Sequence, residues 1–329
     1  MRLHFFTLTV LCFLFTAVVP ASALTLKIGS LSPEGSVWTK IWRDAGDKIE
    51  AETDGRVKFK LYPGGVMGND DAILRRMRAG QLQGGAITTG SLADIYPNIV
   101  AYALPFQFQT LDEVDAVRKE IDPILLKGIE DHGFKIFGLI EGGFAYLMSQ
   151  NPEKQMSDLA DNKVWVPEGD AMASDVMKAL DIRPIPLGIA DVLPGLQTGL
   201  IDTVLNTPIG ALALQWHTGV RYYTNQPLAY ITAAMIIDER VFSDMSEEDQ
   251  KIVRRSFEEA SAKLNTRNRT DNANALEALQ SQGIGKVDII TNQAWQEAKV
   301  KALDVAQGVS GIDPELVDKM QRIITEVRQ

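Results

Sequence analysis

Reactive side chains are scarce in this sequence. Beyond the N-terminal segment it holds two histidines, His132 and His217, and neither stands in a motif. His132 lies between Asp131 and Gly133, a setting that suits the end of a helix. Both histidines read as surface residues. No G-x-S-x-G elbow, H-E-x-x-H pair or S-x-x-K set occurs in a supporting context, and no carboxylate ladder suits calcium. The stretch YPGGVMGND (62–70) sets Gly64, Gly65 and Gly68 just ahead of a helix, where backbone N–H groups could cradle a phosphate. It lacks the G-K-S/T of a P-loop and the G-x-G-x-x-G spacing. A turn that needs positive φ is the simpler reading, and the loop's place at a strand end makes it a candidate cleft wall. No catalytic residue, cofactor or metal is expected.

Large flat side chains are better placed. In open α/β sheets, ligands bind beyond the carboxyl ends of the strands. Glu34 and Trp38 follow the first strand, Tyr62 ends the second, and Thr88 and Thr89 close the third. Phe106 ends the YALPF run, Trp165 and Glu168 lie at the end of KVWVP, Asn206 ends DTVLN, and Trp216 lies in the segment after it. Each aromatic alone could be core. Together, with a few hydrogen-bonding groups, they have the make-up of a small-molecule pocket. In KVWVP, Val164 and Val166 share one face and Trp165 takes the other, so the largest side chain is expected to line the cleft.

The elements that must position these residues alternate. TLKIGS reads as a strand, 36–53 as a helix capped by Ser36, VKFKLYP as a strand with period two, 69–79 as a helix opened by Asn69, and GGAITTG as a short buried strand. This order implies a parallel sheet covered by helices. A second series starts near Lys135. KIFGLIEGG and FAYLMSQ are apolar runs of strand length, KVWVP is a strand, and helices are expected over 170–181 and 190–199 around a strand at Ile185–Leu187. DTVLN, RYYTN and AYITAAMIID follow. Residues 246–281 lack proline and glycine and read as one helix, with Ser246 and Asp249 as a capping pair. Its apolar stripe is interrupted by NTRNRTDNAN (265–274), a pattern that suits a helix bridging two domains; two helices broken near Asn272 are the alternative. A last helix, 315–327, is expected on the second lobe.

Composition bounds the rest. Arg2, the apolar run Phe5–Val19 and Ala21-Ser22-Ala23 read as a signal peptide cleaved near Ala23, so a periplasmic address is expected. The only cysteine, Cys12, falls inside that run, which leaves the mature chain without a disulfide or thiolate. The net charge is −10 with no basic run, which disfavours nucleic acid. Nothing in the sequence forces an oligomer, and a monomer is expected.

The stretches LKIGSLSPEGSVWTK, LYPGGVMGNDDAILRRMRAGQLQGGAITTG, SDLADNKVWVPEGDAMASDVMKAL and PLGIADVLPGLQTGLIDTVLN, with the long helix after them, resemble the DctP-type solute-binding proteins of tripartite ATP-independent periplasmic (TRAP) transporters. The resemblance implies an α/β, two-lobed periplasmic binding protein fold with hinge strands and a long domain-bridging helix. It divides the chain into a signal peptide (1–23), lobe I (24–143 plus about 238–262) and lobe II (144–237 plus about 263–329). It implies capture of a small organic solute between the lobes and delivery to a TRAP-type membrane permease, not catalysis. Members that bind carboxylates usually carry an arginine in a K-x-R-V-P-like strand, which forks onto the ligand. Here that place holds Trp165. A second arginine often follows a G-F pair; here Gly143-Phe144 precedes Ala145, and Phe144 joins the site candidates. Asn206 matches the family's ligand-contacting asparagine. The cleft is therefore expected to prefer a neutral, apolar or aromatic ligand, or to bind any acid group through other donors; a cation over the rings, with Glu34 or Glu168 as counter-charge, is a further reading. A sensor subunit for a membrane signalling partner and a secreted enzyme stay open as other readings.

Overall fold

The computed structural model describes residues 23–329, so the expected signal peptide lies outside the described residues apart from Ala23. The chain opens with β1 (Leu24–Ser30), α1 (Val37–Glu52), β2 (Val57–Tyr62), α2 (Asp70–Arg78) and β3 (Gly84–Thr88), and α3 (Leu111–Asp131) then leads into β4 (Phe134–Ser149). The second series is β5 (Val164–Pro167), α4 (Ala171–Ala179), β6 (Pro184–Leu187), α5 (Ile189–Thr198), β7 (Thr203–Asn206) and α6 (Pro208–Ala213). β8 (Tyr222–Asp238) and α7 (Glu239–Ser243) lead to α8 (Glu247–Ser281), and β9 (Gly285–Val287), α9 (Gln293–Ser310) and α10 (Pro314–Arg328) close the chain. The caps read from the sequence form. Ser36 accepts from Thr39 N, Asn69 from Ala72 N and Ser246 from Asp249 N, so each satisfies one orphan N–H of its helix.

The strands form one mixed sheet in the order β2-β1-β3-β8-β4-β7-β5-β6, with β9 beside β8. Pairing is parallel within each lobe, as expected: β1 with β2 and β3, and β5 with β6 and β7. The two long strands correct the rest. KIFGLIEGG and FAYLMSQ form a single 16-residue strand, and RYYTN and AYITAAMIID belong to one of 17 residues. These two run antiparallel to each other from one lobe to the other. Glycines and bulges break the sequence pattern without ending the ladder, which shifts register between Glu141 and Gly143.

α8 is one continuous helix of 35 residues, about 52 Å long at about 1.5 Å per residue. Its first half anchors in lobe I, where Phe257 packs among the rings of Trp42, Phe59 and Phe137. Its last turns reach the lobe II core through Leu279. The polar middle has a definite task. Asn265 Nδ2 donates to Leu139 O, Asn268 Nδ2 to Glu141 O and Asn272 Nδ2 to Gly142 O, while Asn265 Oδ1 accepts from Glu141 N. β7 pairs with β4 only from Tyr146 to Ser149, so the strand before that stretch has backbone groups without a partner on that edge, and one face of α8 pairs them. Gly143 has φ +109°, and a Cβ there would lie 2.7 Å from Asn272 Nδ2, so only glycine fits beneath the helix.

The Glu141 side chain is 2% exposed. It accepts from Arg118 Nη1, from Arg269 Nε at 2.7 Å and from Tyr230 Oη at 2.7 Å, so helices α3 and α8 and both long strands meet at one carboxylate. Two C-terminal features differ from expectation. α9, which the sequence pattern did not suggest, packs on α4. α10 packs on α3 of the first series through Leu316, Val317, Met320 and Ile324. Its stripe meets the apolar face of α3 around Val114, Val117 and Ile121. Among the described residues, no helix is long and apolar enough to cross a membrane.

Glu141→Ala would leave two guanidinium groups and a buried phenol without their acceptor. The unfolding free energy is expected to fall by about 3–5 kcal/mol in urea denaturation. A loss within the ~1 kcal/mol of an exposed ion pair would contradict this role.

Candidate ligand-binding cleft

A cavity of about 330 Å³ opens between the lobes at the carboxyl ends of β3 and β5. Seven of the residues expected from the sequence line it: Thr88, Thr89, Phe106, Trp165, Glu168, Asn206 and Trp216. Aromatic walls come as two edge-on pairs. Trp165 and Trp216 have ring centroids 4.9 Å apart at 77°, and Phe106 and Trp295 are 5.3 Å apart at 76°. Phe106 adopts φ +61°, a conformation rare for a side chain of its size; its N–H donates to Leu228 O, which fixes the turn.

Four expected residues lie elsewhere. Glu34 is exposed and pairs with Arg43 at 2.5 Å. The Trp38 N–H donates to Asn268 Oδ1 at 3.1 Å, so its ring serves the contact between α1 and α8. Tyr62 ends the edge strand β2, with Lys60 Nζ 5.1 Å from its ring centre. Phe144 packs edge-on against Tyr230 on the neighbouring hinge strand, 5.1 Å between ring centres. Position after a strand end does not fix direction, and these side chains point into neighbouring helices, strands or solvent. Trp165 lines the cavity but differs from expectation in its donor. Its indole N–H donates to Leu187 O at 2.9 Å, so it offers a ligand surface but no donor. At Asn206, Oδ1 accepts from Thr207 N at 2.8 Å, which leaves the amide N–H groups for a ligand acceptor.

The charge of the lining is one-sided. Among the described residues that line the cavity there is no Arg, Lys or His, whereas Asp70, Asp71, Glu153, Glu168 and Asp170 all do. Asp70 is 4% exposed. Its Oδ2 accepts from Thr88 N at 2.9 Å and Thr88 Oγ1 at 2.7 Å, while Oδ1 has no partner. Thr88 thus positions Asp70 at the first turn of α2, where the helix dipole favours an anion. Burial wins nevertheless and pushes the Asp70 carboxyl up to about 6, against the pull of the Thr88 donors. Burial also pushes Asp170 up, although it caps α4 by accepting from Ala173 N.

The lips of the cleft touch. Asn69 Nδ2 of lobe I lies 3.5 Å from Glu168 Oε2 of lobe II. Gly169, at φ +88°, lies so close to α2 that a Cβ on it would be 2.8 Å from Asp71 Oδ2. The glycine-rich stretch read as a cleft wall reaches the cavity through Asn69 and Asp70. Asp70 itself followed a recognised cap and was legible as a candidate on that ground. Trp295 lies on α9, outside the alternating strand pattern; its signal in the sequence is Asn292, which caps α9 by accepting from Trp295 N.

A two-lobed α/β molecule with its strands' carboxyl ends facing an aromatic-walled cleft has the architecture to enclose a small molecule. The chain belongs to the bacterial extracellular solute-binding protein family 7, DctP, whose model matches residues 28–307. It is 29% identical over 240 residues to a solute-binding protein of Roseobacter denitrificans, which covers 71% of this chain and 72% of that protein. It is 22% identical to the C4-dicarboxylate-binding periplasmic protein DctP of Rhodobacter capsulatus, over 75% and 76% of the two chains. The crystal structure of a TRAP periplasmic solute-binding protein from Xanthobacter autotrophicus with bound β-D-galacturonate superposes with a TM-score of 0.82 at 20% identity, covering 91% of this chain and 99% of that one. The protein is accordingly a solute-binding protein and not an enzyme.

Asp70 makes stability depend on pH. Its folded value of about 6 lies above the ordinary 3.8, so the folded state holds the proton more tightly than the unfolded state. Stability from this residue is full below about pH 4 and is lost as pH rises through about 6, by roughly 3 kcal/mol at about 1.4 kcal/mol per unit. Asp70→Asn should therefore melt at a higher temperature than the wild type at pH 7.5 and at a similar one near pH 4. An equal melting temperature at both pH values would contradict the assignment.

Proposed function

We propose that this chain is an exported receptor, cleaved near Ala23, that traps one small organic solute between its lobes and hands it to a TRAP-type permease. We further propose that the solute is neutral or cationic, not a simple carboxylate. One observation carries the second part: the cavity wall described above combines five carboxyl groups with no basic side chain. A carboxylate ligand closed into such a space would lose its hydration and meet like charge. Apolar and aromatic walls, the free amide of Asn206 and the acidic rim suit an apolar solute that carries a hydroxyl, an amide or an ammonium group. The relatives differ in this respect, since one is a C4-dicarboxylate-binding protein and one holds β-D-galacturonate.

The lobe boundaries support a hinge mechanism. Lobe I is taken as 24–143 with about 238–262, and lobe II as 144–237 with α8's second half and α9, while α10 returns to lobe I. Rotation about Gly142 and Gly143 opens the lips, and ligand binding selects the closed form. Calorimetry against succinate, β-D-galacturonate and matched uncharged and ammonium compounds tests the ligand class. Binding confined to the carboxylates refutes it.

Closure gives a second expectation. A methyl group at Gly169 meets Asp71 only when the lips touch. Gly169→Ala should weaken solute affinity at least about five-fold, the effect of roughly 1 kcal/mol against the closed form. X-ray scattering with saturating solute should show a more expanded particle than the wild type, and unchanged affinity and scattering would count against lip contact as the closed state.

A further inference from the structure

The cavity reaches both faces of β5. Trp165 faces α5 and Trp216, while Val164 on the other face belongs to a separate apolar cluster with Leu147, Leu159 and Ile182. That cluster has only four buried members. Met156, Met177, Leu180 and Leu228 pack against it half-buried, and all eight residues line the cavity. The covering helix is equally incomplete. Of the nine residues of α4, only Val176 is buried, although Met172 and Met177 also face the cavity. Protein interiors normally close around such side chains at crystal-like density. Here four buried side chains form a floor, and the half-buried Met156, Met177, Leu180 and Leu228 above it border space that the chain itself does not fill.

The compartment is continuous with the cleft. Leu228 belongs to its wall, and the Leu228 carbonyl holds Phe106 N–H at 2.8 Å at the cleft's aromatic side. Rings line the cleft proper, but none belongs to the compartment cluster, whose adaptable elements are two methionines. We infer that this compartment beneath α4 takes an unbranched alkyl chain of the solute, whose polar end stays in the cleft near Asn206 and Asp70. This rests on the receptor reading above and adds the shape of the ligand. An apolar void of this kind gains nothing from water, and each methylene that enters it removes apolar surface from solvent.

The test uses 1-butanol, 1-hexanol and 1-octanol, uncharged probes that differ only in chain length, titrated calorimetrically into the full-length mature protein. Affinity should rise about three- to four-fold per added methylene, the equivalent of about 0.8 kcal/mol each. In Met177→Trp, which fills the compartment, the gain per methylene should fall to less than half of that. A flat series in the wild type, including no binding at all, overturns the inference, and so does an equally steep series in Met177→Trp. The receptor reading is judged separately by mass spectrometry of the compound that co-purifies. A small chainless compound that also closes the lobes in scattering keeps the receptor and removes the alkyl compartment.

Discussion

A break in one backbone ladder organises this molecule. Strand β4 must pass from one lobe to the other, and at Glu141–Gly143 its register against β8 slips by a residue. On its other edge β7 pairs only with Tyr146–Ser149, so carbonyl and amide groups before that stretch have no strand partner there, and unpaired groups shut off from water are costly. Asparagines on one face of α8 take them, at Leu139, Glu141 and Gly142. The Glu141 carboxylate then draws in Arg118, Arg269 and Tyr230. The long helix is thus fixed to the hinge at its polar middle and to each lobe by its apolar ends.

The cleft inherits its geometry from this arrangement. Because the long strands connect the halves, the carboxyl ends of β3 and β5 face the same space, and the helices that begin there bring Asp70 and Asp170 to it. Side chains that would make this an anion site are absent from the described lining, and the groups that take their place are acidic, aromatic or aliphatic. Asp70 is stable there only at a penalty, held by Thr88 with one oxygen unanswered. Polar groups kept at a loss of stability are common where function requires them.

Much of this was legible in the chain. Caps at Ser36, Asn69 and Ser246, the period-two strand after Arg56 and the uninterrupted run from Ser246 all rest on local preferences, and all appear as expected. The stretch NTRNRTDNAN marked the middle of a bridging helix, but its composition could not say that asparagines three and four positions apart would meet a bulge more than a hundred residues earlier. The cleft aromatics divided by direction. Phe106, Trp165 and Trp216 reached the cavity, whereas Trp38 and Tyr62, equally near strand ends, turned to α8 and to Lys60.

Local sequence determined the elements, their caps, the alternating faces of β5 and the family to which the chain belongs, because those follow from residue types a few positions apart. Tertiary structure alone decided that the Trp165 N–H is taken by Leu187, that α9 brings Trp295 to the cleft, that α10 packs on α3 and that the cavity wall carries one sign of charge. Each depends on which distant groups satisfy one another once water is excluded, and that pairing is a property of the packed molecule as a whole.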